Sequence, residues 1–303
     1  MSSFNPMLAA LQKLREEAKH KRQSQESAAS VAPFVEIKTE QHPTPKEIAH
    51  PPTRPVFLER VVSVTVNNQL QVQLRILQDP SGIEYGHGAT VWDAGILLGK
   101  YLAEFEGRQH MVPHTSCLSL GCGCGLSGLV ASILGCDVTL TDLPNVLPLT
   151  QINIDKNKDA LRTALAFAKG DNTHVHRSKT CVAEALDWNK DCDFVNRTFD
   201  LILGADLMYD PKLAQPLAAT VARLSTPTST IIIAHEHRKE TVDEQFTNAF
   251  RQYNLMLHEI PRQKRWDEDL SLFQLVQSSS AAASSGLSTC IQKSDNATDM
   301  LYM

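Results

Sequence analysis

The chain has 303 residues, of which 42% are hydrophobic, with a formal net charge of −5 and a pI near 6.1. That is enough apolar material for one large domain with tails, and the acidic balance argues against a general nucleic-acid binder. No run approaches the roughly 18 apolar residues of a membrane span. The N-terminus also lacks the order of basic start, apolar centre and small-residue cleavage site that marks a signal peptide. A cytoplasmic monomer is therefore expected, with the nucleus as a second location, no membrane or nucleic-acid partner, and reduced thiols.

Residues 1–55 read as a flexible extension. Met7, Leu8, Leu11, Leu14 and Ala18 recur at helical spacing, which admits a short amphipathic helix, and the polar, Pro-rich text that follows favours no packed structure. A single domain is expected over 56–278. It begins with two alternating runs, "VVSVTV" and "QLQVQLRIL", separated by "NN", the pattern of a β-hairpin. "VWDAGILLGKYLAEF" has the apolar spacing of a helix. Strands are then predicted at "SCLSL", "CDVTLTD", near "HVHRSKTCVAE", at "FDLILGAD" and at "STIIIAHE". Helices between them are predicted at "GLSGLVASILG", "PNVLPLTQINIDKN" and "PKLAQPLAATVARL", and one more at "TVDEQFTNAFRQY" after the last. "NLMLHEI" and "LSLFQLVQ" have no helix between them and should pair antiparallel. Residues 279–303 read as a loose tail.

Strands alternating with helices mean an α/β fold with a parallel sheet. The expectation is a Rossmann-like, mostly parallel seven-stranded sheet with helices on both faces. A C-terminal antiparallel hairpin closes it, and an N-terminal β-hairpin precedes it.

The segment "CLSLGCGCGLSGL" (117–129) raises the question of chemistry. Seven cysteines at irregular spacing do not make a disulfide framework. Cys122 and Cys124 have no second pair to complete a zinc site, and "HEH" at 235–237 is distant in sequence. No metal is expected. Gly121, Gly123 and Gly125 instead follow a strand and open a helix, where a sharp turn and a close ligand both disfavour a Cβ. Ligands of open α/β sheets bind beyond the carboxyl ends of the strands. Asp142 ends the next strand, about twenty residues on, where an acid accepts the two ribose hydroxyls of an adenosine moiety. Asp is also a favoured helix N-cap there, and the two roles coexist.

"VWDAGILLGKYL", "LSLGCGCGLSG", "VTLTDLP", "ALDW" and "FDLILGADLMYD" occur in that order. Together they resemble the successive motifs of the seven-β-strand methyltransferases, specifically methyltransferase-like family 16, over about residues 60–278. The resemblance implies S-adenosylmethionine as cofactor and a lysine-bearing protein as substrate. It carries cofactor contacts onto Trp92, Gly121, Cys122, Gly123, Asp142, Trp188 and Ala205. Trp188 would wall the adenine with an aromatic face, and Trp92 would cover the pocket as a lid. The cysteines stand where the family has small residues and read as spacers. One departure is Ser119, which occupies a position where the family carries an acid. Asp93 is a candidate to supply that charge.

The family's acid-x-x-Tyr motif falls on Asp206 and Tyr209, which implies a catalytic role for both. Residues three apart on a turn face one side. A lysine of pKa near 10.4 is neutral in only about one molecule in 2,500 at pH 7, a cost of about 4.6 kcal/mol. A dry site beside a cationic sulfonium lowers that cost, because desolvation and like charge both disfavour the ammonium. Asp206 is assigned to orient the amine and Tyr209 to wall its channel. Alternative readings are methylation of a small amine or of an arginine or histidine, and a non-catalytic cofactor-binding scaffold.

Overall fold

The computed structural model describes residues 57–66, 70–104, 115–169, 181–190, 194–262 and 266–277. The tail helix expected within residues 7–22 and the tail at 279–303 lie outside them. Strands β1 (Leu58–Val66) and β2 (Leu70–Gln78) form the expected antiparallel hairpin, with Leu58 opposite Gln78 and Val66 opposite Leu70. On β2 the alternation is literal. Val72, Leu74 and Ile76 are buried, while Gln71, Gln73 and Arg75 face out. Helix α1 (Asp93–Ala103) follows.

The remaining elements are β3 (Ser116–Leu120), α2 (Leu126–Ile133), β4 (Asp137–Asp142), α3 (Leu147–Lys156), α4 (Lys158–Lys169) and β5 (Cys181–Ala185). After them come β6 (Leu201–Ala205), α5 (Ala214–Leu224), β7 (Thr230–Glu236), α6 (Glu240–Gln252), β8 (Leu255–Glu259) and β9 (Leu270–Gln277). Seven strands make one sheet in the order β5-β4-β3-β6-β7-β9-β8. All neighbours are parallel except β9, which runs antiparallel to both β7 and β8. This is the architecture expected from the alternation.

Both faces of the sheet are covered, which is why its strands read as continuous apolar runs rather than as alternating ones. Cys117, Leu201, Leu203, Ile232 and Ala234 point into a core shared with α1, α2, α3, α4 and the hairpin. Their neighbours Leu118, Ile202, Ile231 and Ile233 point the other way, onto Leu217 and Val221 of α5 and Phe246 and Phe250 of α6. Each fully buried aliphatic side chain contributes about 1.5–3 kcal/mol relative to exposure.

Two asparagines fasten the hairpin to this body. Leu77 N donates to Asn153 Oδ1 at 2.7 Å and Arg75 N donates to Asn157 Oδ1 at 2.8 Å. The amide groups return the bonds, Asn153 to the Leu77 carbonyl at 3.0 Å and Asn157 to the Arg75 carbonyl at 2.9 Å. One helical turn of four residues rises about 6 Å, close to the roughly 6.6 Å between alternate strand residues. The two amides therefore take the place of a third strand along the edge of β2, which would otherwise leave its N–H and C=O groups unpaired. Helix α4 had no counterpart among the sequence expectations. It abuts α3 across Asn157 alone, with no glycine or proline to mark a boundary.

The chain runs from β3 outward to β4 and β5, then returns to the other side of β3 as β6 and β7. A crevice opens at such a reversal, beyond the carboxyl ends of the central strands.

Candidate active site

The glycine loop lies at the carboxyl end of β3. Gly121, Gly123 and Gly125 have φ of 50°, 52° and 86°, the left-handed region that side chains disfavour. Space is equally restrictive. A Cβ on Gly123 would lie 2.7 Å from the Gly88 carbonyl oxygen. On Gly121 it would lie 2.6 Å from Leu207 Cδ2 and 3.3 Å from Trp188. Part of the demand for glycine is thus internal: the loop is clasped between the 3-10 turn Gly86–Ala89 on one side and Leu207 and Trp188 on the other.

Asp142, at the end of β4, accepts a hydrogen bond from Gly123 N at 2.8 Å through Oδ2 and one from Leu143 N at 2.8 Å through Oδ1. The next-strand acid thereby braces the loop itself. Burial pushes its carboxyl above the ordinary range, against these two bonds, which favour the charged form. An ionised carboxylate offers about four lone-pair sites, so two remain for a diol.

Cys122 and Cys124 are packed rather than poised. Burial pushes the Cys122 thiol well up and that of Cys124 up to about 12. Cys122 Sγ lies 3.7 Å from Thr150 Oγ1, and Cys124 Sγ lies 3.5 Å from the Gly88 oxygen. A metal ligand or nucleophile has to be a thiolate, and these environments oppose one. His235 and His237 each bond to Asp243, at 2.8 and 2.7 Å, and the three residues' ligand atoms all lie within 4.8 Å of one another.

On the far side of the crevice stands Asp206. It follows β6 directly, has a left-handed φ of 57° and is buried. Both of its oxygens accept from Arg238, Oδ1 from Nη1 and Oδ2 from Nη2, each at 2.7 Å. Arg238 Nη2 also donates to Glu236 at 2.8 Å, and its guanidinium lies 5.7 Å from the centroid of the Trp92 ring. The bond to Asp206, ahead of the cost of burial, raises the Arg238 pKa further. Tyr209 is half exposed, its ring 6.3 Å from that of His87. Burial, followed by the negative charges of Asp142, Asp210 and Asp206, raises its pKa, so the phenol keeps its proton.

All nine residues singled out from the sequence line one cavity of about 370 Å³: Trp92, Gly121, Cys122, Gly123, Asp142, Trp188, Ala205, Asp206 and Tyr209. That volume lies within the range of small-molecule sites. Trp92 sits at the mouth, 41% exposed, with Nε1 donating to the His87 carbonyl at 3.1 Å. Trp188 packs on the second core with one side toward the cavity.

Ser119 and Asp93 are placed differently. Ser119 is buried against α2, with its Cβ 3.3 Å from where a Cβ on Gly128 would stand, and it does not line the cavity. Asp93 does not line it either, and its charge acts on Arg60. The sequence reading missed Arg238 and the His87–Gly88 turn. The available signal for Arg238 was its position just past the carboxyl end of a parallel strand.

A left-handed glycine loop, an acid closing the following strand and an acid-x-x-Tyr turn after β6 define a Rossmann-like transferase site for an adenosine-bearing donor. A family model described as lysine methyltransferase matches residues 68–252. The chain belongs to this family. It is 34% identical to protein N-lysine methyltransferase METTL21A of Xenopus tropicalis over 157 residues, 51% of this chain and 63% of that one. It is 31% identical to the Mus musculus METTL21A over 173 residues, 57% of this chain and 71% of that one. With EEF1A lysine methyltransferase 3 of Xenopus tropicalis, 28% identity extends over 209 residues, 68% of this chain and 81% of that one.

The residues fit the donor. The loop has no side chains where backbone must face a ligand, Asp142 has acceptor capacity for two ribose hydroxyls, and Trp188 offers a flat apolar wall.

Proposed function

We propose that this protein transfers a methyl group from S-adenosylmethionine to the ε-amine of a lysine in a protein acceptor. The supporting observation is that Asp206 and Tyr209 share one cavity with the glycine loop and Asp142. When bound, the cofactor supplies an electrophilic methyl group on a sulfonium. Gly121 and Gly123 would hold its amino-acid end, Asp142 its sugar and Trp188 its base. Trp92 and Tyr209 form the lips of the channel by which the acceptor arrives.

Little further chemistry is asked of the protein. Bringing amine and methyl into line supplies most of the acceleration. The difficulty is the proton on the lysine, and a partly desolvated site favours its loss. Asp206 orients the amine through acceptor positions that its bonds to Arg238 leave open. Tyr209 is a wall and a hydrogen-bonding phenol, not a base. The acidic balance of the chain, −5, suits a basic acceptor surface.

The test is incubation of the full chain with labelled S-adenosylmethionine and a cell extract, followed by mass spectrometry of the modified residue. The expected result is label on lysine nitrogen in a small number of proteins. Label on arginine, histidine or a small amine would replace this proposal with that acceptor class. Cofactor binding without label on any acceptor would leave a non-catalytic cofactor-binding scaffold, and failure to bind at high micromolar concentration would overturn the proposal.

A further inference from the structure

We infer that Arg238 is a positioning residue for the acceptor: it fixes the Asp206 carboxylate and neutralises it, so that an arriving lysine is held there without its proton. The inference rests on the lysine reading above and adds to it the residue that governs the acceptor's protonation state.

An acceptor lysine confronts Asp206 with a dilemma. A carboxylate close to an amine orients it, but an unpaired carboxylate also favours the ammonium and raises the lysine pKa. The ammonium has no lone pair and does not attack. The site therefore needs the oxygens of Asp206 without the full effect of its charge. Arg238 meets both needs. Its fork takes one lone pair from each oxygen at 2.7 Å, and a carboxylate with about four lone-pair sites still has two for a neutral amine. A guanidinium never gives up its proton at working pH, so it stays a fixed positive charge beside the amine. The acceptor's proton leaves for solvent before the carbon–nitrogen bond forms, and no general base is required within the cavity.

Three observations separate this arrangement from a bracing ion pair. Both partners line the cavity, and the Arg238 side chain retains 37% of its exposure. The guanidinium is held from three directions, by Asp206, by Glu236 at 2.8 Å and by the face of Trp92. Asp206 itself has a left-handed φ of 57°, a strain that concentrates at functional sites.

The other charged or titratable groups around the pair do not fill its role. Glu236 and Asp206 bring two carboxylates against one guanidinium, so loss of Arg238 leaves both uncompensated beside a cavity whose lining also holds Asp142 and Asp187. His235, whose ring feels Asp206, is kept neutral by burial. Tyr209 faces Asp206, Asp142 and Asp210 and keeps its proton. Arg238 is the one guanidinium or ammonium lining the cavity among the described residues.

The test compares Arg238→Met and Arg238→Lys with wild type, using tritiated S-adenosylmethionine and saturating or sub-saturating cell-extract protein between pH 6 and 10. Calorimetry with S-adenosylmethionine and thermal melting accompany each variant. In the Arg238→Met variant, kcat at pH 7 is expected to fall by tenfold or more, with KM unchanged or lower because the ammonium now binds well but unproductively. Its acid limb in kcat should move up by about one pH unit or more, so that its rate approaches wild type near pH 10. The Arg238→Lys variant keeps the charge without the fork, and its limb should stay near that of wild type at a reduced rate. Cofactor affinity should be alike in all three. A limb that does not move in Arg238→Met overturns the inference, as does a KM rise at constant kcat or a faster variant at pH 7. Wild-type label on residues other than lysine overturns the lysine reading and the inference together.

Discussion

On the β4 side of the crevice the Asp142 carboxylate rests on two uncharged backbone N–H groups, whereas on the β6 side that of Asp206 rests on a guanidinium. In the proposed reading, the donor half of the site is made of backbone, shaped by left-handed glycines and tied to the acid that follows. The acceptor half is made of charged side chains at the ends of two neighbouring strands. The contrast matches what the proposed function asks of each half. A nucleoside diol is neutral and is held by unspent lone pairs. An amine that arrives as a cation and must react as a neutral needs its local electrostatics set.

The sharpest way to break the comparison is on the acceptor side. Asp206→Asn should lower kcat by about 100- to 1,000-fold while S-adenosylmethionine affinity measured by calorimetry stays within a few-fold of wild type. A comparable loss of cofactor binding would mean that the two halves are not separable.

On the donor side the counterpart is Gly123→Ala. The new Cβ would meet the Gly88 oxygen at 2.7 Å in a residue with φ of 52°. A left-handed non-glycine costs about 1–3 kcal/mol, and the clash with backbone adds to it. Denaturant unfolding should show that loss, and calorimetry should show cofactor affinity falling with it.

A smaller effect distinguishes the two carboxylates by pH. Burial raises the Asp142 pKa in the free protein, and ribose hydroxyls favour its ionised form, so binding should release a proton. Affinity for S-adenosylmethionine should then strengthen as pH rises through that raised pKa and weaken below it. Calorimetry in buffers of different ionisation enthalpy reads the proton directly. Asp142→Asn should abolish the pH dependence and weaken binding about 10- to 100-fold, since an amide has one acceptor oxygen in place of two.

The smallest effect concerns β7, the strand after which Arg238 comes. Burial lowers the His235 pKa below 6.5, outweighing the raising influence of Asp243. The unfolded chain takes up a proton there first, so the His235 contribution to stability is present above about pH 6.5 and is lost as pH falls below it. Melting temperature should drop over that window, and His235→Gln should flatten the slope.

Much of this was legible in the chain. The sequence of elements and the mostly parallel sheet followed from alternation, because a sheet covered on both faces needs apolar runs of five or so residues between amphipathic helices. The nine cavity-lining residues were legible because each sits at a punctuation mark of that alternation. Gly121, Cys122 and Gly123 follow β3, Asp142 ends β4, Trp188 follows β5, and Ala205, Asp206 and Tyr209 end and follow β6. Trp92 immediately precedes α1. Helix α4 was not legible, since Asn157 ends one helix and begins the next without a breaker. Nor was the task of Asn153 and Asn157, which in sequence look like polar residues on a helix surface.

The amino-acid sequence determined the order of elements, the parallel sheet and the place of the glycine turn, because these depend on local periodicity and on which residues tolerate a left-handed backbone. Only the tertiary structure decided that Arg238 meets Asp206, 32 positions away, that the Gly88 carbonyl closes over Gly123, and that two amides stand in for a missing strand. Those contacts arise where neighbouring strands and loops converge. Nothing in the spacing of residues along a chain records which charges will face each other there.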